Sequence, residues 1–264
     1  MTAVAQPASP KARAVAGAKA IPPLVRVAVI ALTAAICCIA QADEVEAYKV
    51  TGPVTNGGTI TGQVVFHSTV PMKQVIVNKD PTVCGASRED PLIVVGPGQG
   101  VADTLVYLAG VPSGKDWPAD GKKPVLNNVK CRFEPGMQVI RAGALDVGNK
   151  DPVLHNTHAY YGKRTAFNMA LPNQNQVIST QLPKAGTVRV DCDAHGWMEG
   201  WIIVRDNPYY ALTGADGKFT ITGIPPGTYN LVTLQPYSIL IEQPVTVVAG
   251  KASNLTIELK AAPH

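Results

Sequence analysis

From Gly58 onward, apolar and polar positions alternate in short runs separated by Gly, Pro, Asn and Asp. That is the pattern of half-buried strands, not of amphipathic helices. Ile60, Gly62, Val64 and Phe66 fall on one face of a first strand, and Val75 and Val77 belong to a second. Leu92–Val95 and Thr104–Leu108 predict two more, and no stretch up to Asn127 has helical spacing. Ser113–Pro124, rich in Gly, Lys, Asp and Pro, reads as an exposed connection. Beyond Asn127, alternation at Met137/Val139 and Leu145/Val147 continues the strand pattern. Val177–Leu182, Thr187–Cys192 and Trp201–Val204 follow, with turns at Asn149–Pro152 and Pro183–Gly186. The expected fold class is all-β.

Charge changes little in this picture. Lys11, Arg13, Lys19 and Arg26 lie in the first 42 residues, which hold no acid. The rest carries equal numbers of bases and acids, so no basic footprint for nucleic acid is expected. The basic leader is followed by an apolar run, Val27–Ala40, and by Ala40-Gln41-Ala42. This is the pattern of an export signal peptide spanning residues 1–42, cleaved after Ala42, and it implies a periplasmic or secreted protein. Membrane attachment is expected only if that segment stays uncleaved.

Export puts the remaining Cys84, Cys131 and Cys192 in an oxidising compartment, where thiols pair. The economical reading is a Cys84–Cys131 disulfide, with the odd Cys192 left for another purpose.

Cys192 opens a compact constellation, Cys192-Asp193-Ala194-His195-Gly196-Trp197-Met198. Val188, Val190 and Cys192 share a strand face, which puts the thiol at the inward end of a strand and His195 and Met198 on the loop beyond. Thiolate, imidazole and thioether together suit a soft metal, copper above all. His155, in Leu154-His155-Asn156-Thr157-His158, supplies a second imidazole upstream. Zinc is the rival metal, but its usual ligands do not include a thioether. No Cys-x-x-Cys-His is present for haem attachment. His158 and His67 read as structural or surface residues, and Met169, Trp197 and Trp201 as packing, with Trp197 also a candidate for an apolar rim.

The Cys-x2-His-x2-Met spacing, the upstream His155-Asn156 and the flanking strands resemble the cupredoxins of the short-loop, amicyanin-like kind, over about residues 127–206. The resemblance implies a Greek-key β-sandwich with one type 1 blue copper. His155, Cys192 and His195 would be the equatorial metal ligands, Met198 the axial one, and Asn156 a tie between the ligand loops. The chain departs from that pattern at Gly196, where a Pro is expected.

Residues 207–264 resemble a different module. Thr213–Ile221, with Asp216-Gly217 expected to turn a hairpin, and Ile224-Pro225-Pro226-Gly227-Thr228-Tyr229 are similar to the carboxypeptidase regulatory-like, transthyretin-like β-sandwich. Leu255, Ile257 and Leu259 would close it. Residues 43–126 form an N-terminal β segment with two open layouts. It pairs with this C-terminal sandwich, around an inserted copper domain, or it completes the cupredoxin.

The functional expectation is an exported electron carrier, using its copper with a redox partner protein in the periplasm. A copper-binding or delivery protein and a structural β-module without a redox role are the alternatives. Four filled coordination positions leave none for a substrate, so no enzyme is expected.

Overall fold

The computed structural model describes residues 47–119 and 121–263. The expected signal peptide lies outside the described residues. Among those residues no helix is long and apolar enough to cross a membrane.

The molecule is all-β, built as two β-sandwiches. The first joins the two ends of the described chain. Gly58–Val65 is the central strand of a three-stranded sheet, antiparallel to Lys218–Ile224 and parallel to Ala252–Glu258. Facing it is a four-stranded sheet in the order Tyr210–Leu212, Leu105–Ala109, Gly227–Leu234, Ile241–Val247. Ile60, Val64, Val106, Leu108, Ile221, Leu231 and Ile257 fill the space between them. Gly62 is required here. A Cβ would stand 2.3 Å from the Leu255 carbonyl oxygen and 2.7 Å from the Phe219 ring.

The second sandwich is inserted between Ala109 and Tyr210. Its four-stranded sheet runs Val177–Leu182, Gly143–Asn149, Val125–Val129, Arg132–Glu134. Its five-stranded sheet runs Arg164–Leu171, His155–Tyr161, Gly186–Cys192, Glu199–Arg205, Met137–Arg141. Leu126, Leu145, Val147, Val188, Val190 and Ile202 are buried between these sheets. Val125–Val129 belongs to this insertion, so the sequence boundary at 126/127 cuts through a strand.

The two sandwiches pack sheet to sheet. Leu105 on one side meets Met137 and Ile203 on the other, with Tyr107, Trp201 and Leu234 around them. This explains why Ile202, Ile203 and Val204 are all buried. A strand covered on both faces reads as a continuous apolar run instead of an alternation. The Arg205 guanidinium lies 3.8 Å from the centre of the Tyr107 ring across the same interface.

Three local expectations are corrected. Leu92–Val95 is not a strand; the paired strands are Met72–Val75 and Arg88–Pro91. Ile93 is fully buried all the same, so the apolar run marks burial and not extended pairing. Asp216-Gly217 does not turn a hairpin, because the strands on either side of it belong to opposite sheets. Between Met72–Val75 and Arg88–Pro91 the chain makes one helical turn, Pro81–Cys84, in a stretch without helical spacing.

Candidate metal centre

Strand pairing assembles the site. Thr157 lies directly opposite Cys192 in the antiparallel pair of His155–Tyr161 and Gly186–Cys192. Side chains two residues apart share a face, so His155 points into the core beside Cys192. Beyond Cys192, two successive turn bonds curl the loop. His195 N–H donates to the Cys192 carbonyl at 3.2 Å, and Met198 N–H donates to that of His195 at 2.9 Å. His155, Cys192, His195 and Met198 are 0, 1, 1 and 3% exposed.

The structure brings three of the four residues into a ligand cluster. Cys192 Sγ lies 3.8 Å from His155 Nδ1 and 3.7 Å from His195 Nδ1. A transition ion with nitrogen and sulfur bonds of about 2.0 and 2.3 Å at trigonal angles sets a sulfur–nitrogen spacing of about 3.7 Å. The donor set therefore fits one such ion. Met198 belongs to the same buried cluster as Cys192. Gly196 has open space around it, and a Cβ there would meet nothing within 4 Å.

Each imidazole is held from behind by a carboxylate. His155 Nε2 is 2.8 Å from Asp151 Oδ2, and His195 Nε2 is 2.9 Å from Asp80 Oδ2. Such partners fix the ring and direct the other nitrogen at the metal. Burial, opposed by the bond to Asp151, lowers the His155 pKa and keeps the ring in its neutral, ligating form. Burial pushes the Cys192 thiol up, against the backbone N–H groups of Asn156, Ala194 and His195. Asn156 N–H reaches Cys192 Sγ at 3.4 Å.

The Asn156 side chain does not tie the ligand loops together. It donates to Asn168 Oδ1 at 2.8 Å, and the link to the thiol runs through its backbone instead. His158 faces outward, among Asp193, Tyr160, Thr165 and Asn168. His67 is exposed beside Glu258. Trp197 packs edge-on to His195 with ring centres 5.1 Å apart, and Trp201 lies in the interface between the sandwiches.

Sequence reasoning missed Asp151 and Asp80. Asp151 had a signal, a carboxylate four residues before His155 in a turn. Asp80 had none, being 115 residues from His195. It stands on the helical turn that carries Cys84, and Cys84 is disulfide-bonded to Cys131. Cys84 and Cys131 also lie within ligand distance of His195, but as a disulfide they offer no thiolate.

No family model and no curated protein matches the chain. Among solved structures, it is similar to amicyanin from Paracoccus versutus, with 23% identity, a TM-score of 0.29, and 34% of this chain and 86% of that one covered. An oxidised amicyanin mutant matches at 25% identity and TM-score 0.29, over 33% and 86% of the two chains. A purple cupredoxin from Nitrosopumilus maritimus matches at 19% identity and TM-score 0.29, over 31% and 100%.

Proposed function

We propose that this protein carries single electrons through one type 1 copper, working in the periplasm or outside the cell with a redox partner protein. The observation that carries the reading is the pair of Nδ1 atoms at 3.8 and 3.7 Å from a buried thiol. Each of those rings is locked from behind by a carboxylate. Copper bound there supplies one-electron redox chemistry. His155, Cys192, His195 and Met198 would hold it, a set that suits copper better than zinc.

The chain's own contribution is to hold the donors still and dry. Strand pairing sets His155 and Cys192, the two loop turns set His195 and Met198, and the carboxylates stop the rings from rotating. Little then has to move when an electron arrives. Donors buried this deeply, under a turn tethered by a disulfide, suit retention of the metal over its exchange. That favours the carrier over the copper-delivery reading. Four protein donors leave no open position for a substrate, so the role is not enzymatic.

The test is the visible spectrum of the protein with one equivalent of Cu(II), repeated on Cys192→Ser. An intense band that the substitution abolishes is expected. Copper bound without the band in the unaltered protein would favour copper handling, and no copper at all would leave a structural β-protein.

A further inference from the structure

Of the two carboxylates behind these histidines, one lies in the inserted sandwich and the other on an excursion from its host, and a disulfide joins that excursion to the turn that Asp151 caps. Asp151 belongs to the inserted sandwich. It accepts the N–H groups of Lys130 and Cys131 at 2.7 and 2.9 Å. Asp80 belongs to the excursion that leaves the other sandwich between Phe66 and Val95. Its carbonyl accepts the N–H of Val83 and Cys84 at 3.0 and 2.9 Å. Its carboxylate makes no capping bond to the helical turn it opens. It is turned instead onto His195 Nε2.

Several contacts hold the excursion over the metal loop. Val77, Val83 and Cys84 pack into the copper-side core. Lys73 Nζ lies 3.2 Å from Glu199 and 3.5 Å from the Trp197 carbonyl oxygen. Arg132 lies 3.3 Å from Asp90. These ion pairs are partly exposed and contribute little each. Among the described residues, the one disulfide link is Cys84–Cys131.

We propose that Asp80 is a positioning residue for His195, and that the Cys84–Cys131 bridge is the clamp that keeps it there. The state of the bridge then tunes the metal centre. This rests on the copper reading only for its electronic consequence. A carboxylate accepting the Nε2–H makes Nδ1 a stronger donor. That favours Cu(II) over Cu(I), so releasing Asp80 raises the reduction potential. Opening the bridge needs a dithiol. It gives two electrons and two protons to the sulfurs, closes to its own disulfide, and leaves Cys84 and Cys131 as thiols. The bridge is buried, with Cys84 and Cys131 5 and 1% exposed, beside a cleft of about 210 Å³ lined by Cys131, Met198 and Trp197.

The first measurement uses metal-free protein labelled with ¹⁵N in histidine. The His195 Nε2–H is expected as a slowly exchanging resonance. It should be lost in Asp80→Ala, weakened in Cys84→Ser/Cys131→Ser, and kept in Asp80→Asn, whose amide oxygen still accepts. The second uses copper-loaded protein and reads the midpoint potential. Asp80→Ala should raise the Cu(I)/Cu(II) ratio at a fixed potential about tenfold, or 59 mV for one electron. Cys84→Ser/Cys131→Ser should shift it the same way, and the triple variant no further than Asp80→Ala alone. Asp80→Asn should shift it too, having lost the charge and kept the shape. Unmoved resonances and potentials, or additive shifts from Asp80 and the bridge, would overturn the proposal. An Asp80-dependent resonance in a protein without an intense copper band would sink the copper reading and leave the positioning role standing.

Discussion

Asp151 Oδ2 sits 2.8 Å from His155 Nε2, and the same carboxylate caps the turn at Lys130 and Cys131. Both turn residues are left-handed, with φ of 48° and 54°. Neither is Gly or Asn, and such a conformation costs about 1–2 kcal/mol per residue. One side chain therefore offsets a strained turn and orients a ligand. Asp151→Ala is expected to lower the stability of the metal-free protein by about 2–3 kcal/mol and copper affinity by about 10–100-fold. Denaturation and chelator competition read the two effects separately. Unchanged stability would refute the support given to the turn.

His155 gives the metal-free protein a pH dependence. Burial holds its pKa below the ordinary value of 6.5. As pH falls through 6.5, the unfolded chain takes up a proton that the native ring refuses. Stability is thus highest above 6.5 and declines until the native pKa is reached. Urea midpoints at pH 7.5 and 5.5 should differ for the unaltered protein, and differ less for His155→Phe. An equal dependence in both would show that another group is responsible.

Gly62→Ala is expected to cost about 1–3 kcal/mol, because Leu255 or Phe219 must move to admit the new carbon. The substitution lies in the sandwich that does not carry His155 and Cys192. The copper spectrum at low temperature should be unchanged while the melting temperature falls. A loss of both together would mean the two sandwiches are far more strongly coupled than their packing suggests.

Gly196→Ala should do almost nothing, within about 0.5 kcal/mol, since the space around this loop position is open. A shifted spectrum or a lost metal would show that the loop relies on glycine's conformational freedom.

The short-range half of the centre was legible in the chain. Cys192, His195 and Met198 are close in sequence, and the alternation at Val188, Val190 and Cys192 set the direction of the thiol. Long-range contacts were less so. His155 could be picked out only as an imidazole some distance upstream, and Asp80 not at all, because nothing in Lys79-Asp80-Pro81 marks a partner so distant. The turn at Lys130-Cys131 was hidden because it lacks the residues that favour left-handed backbone. Ile93 misled in another way, since a short apolar run reports burial without saying whether the backbone is paired.

The insertion leaves and rejoins its host at neighbouring points, since Leu108 N–H donates to the Tyr209 carbonyl at 2.9 Å. Closing about a hundred flexible residues onto that hydrogen bond would cost about 4 kcal/mol in chain entropy, beyond a constant for closure itself. Once the inserted sandwich has formed, its ends already lie together and most of that cost is met. A folded insertion therefore lowers the entropic cost of closing the sandwich built from the two ends of the described chain.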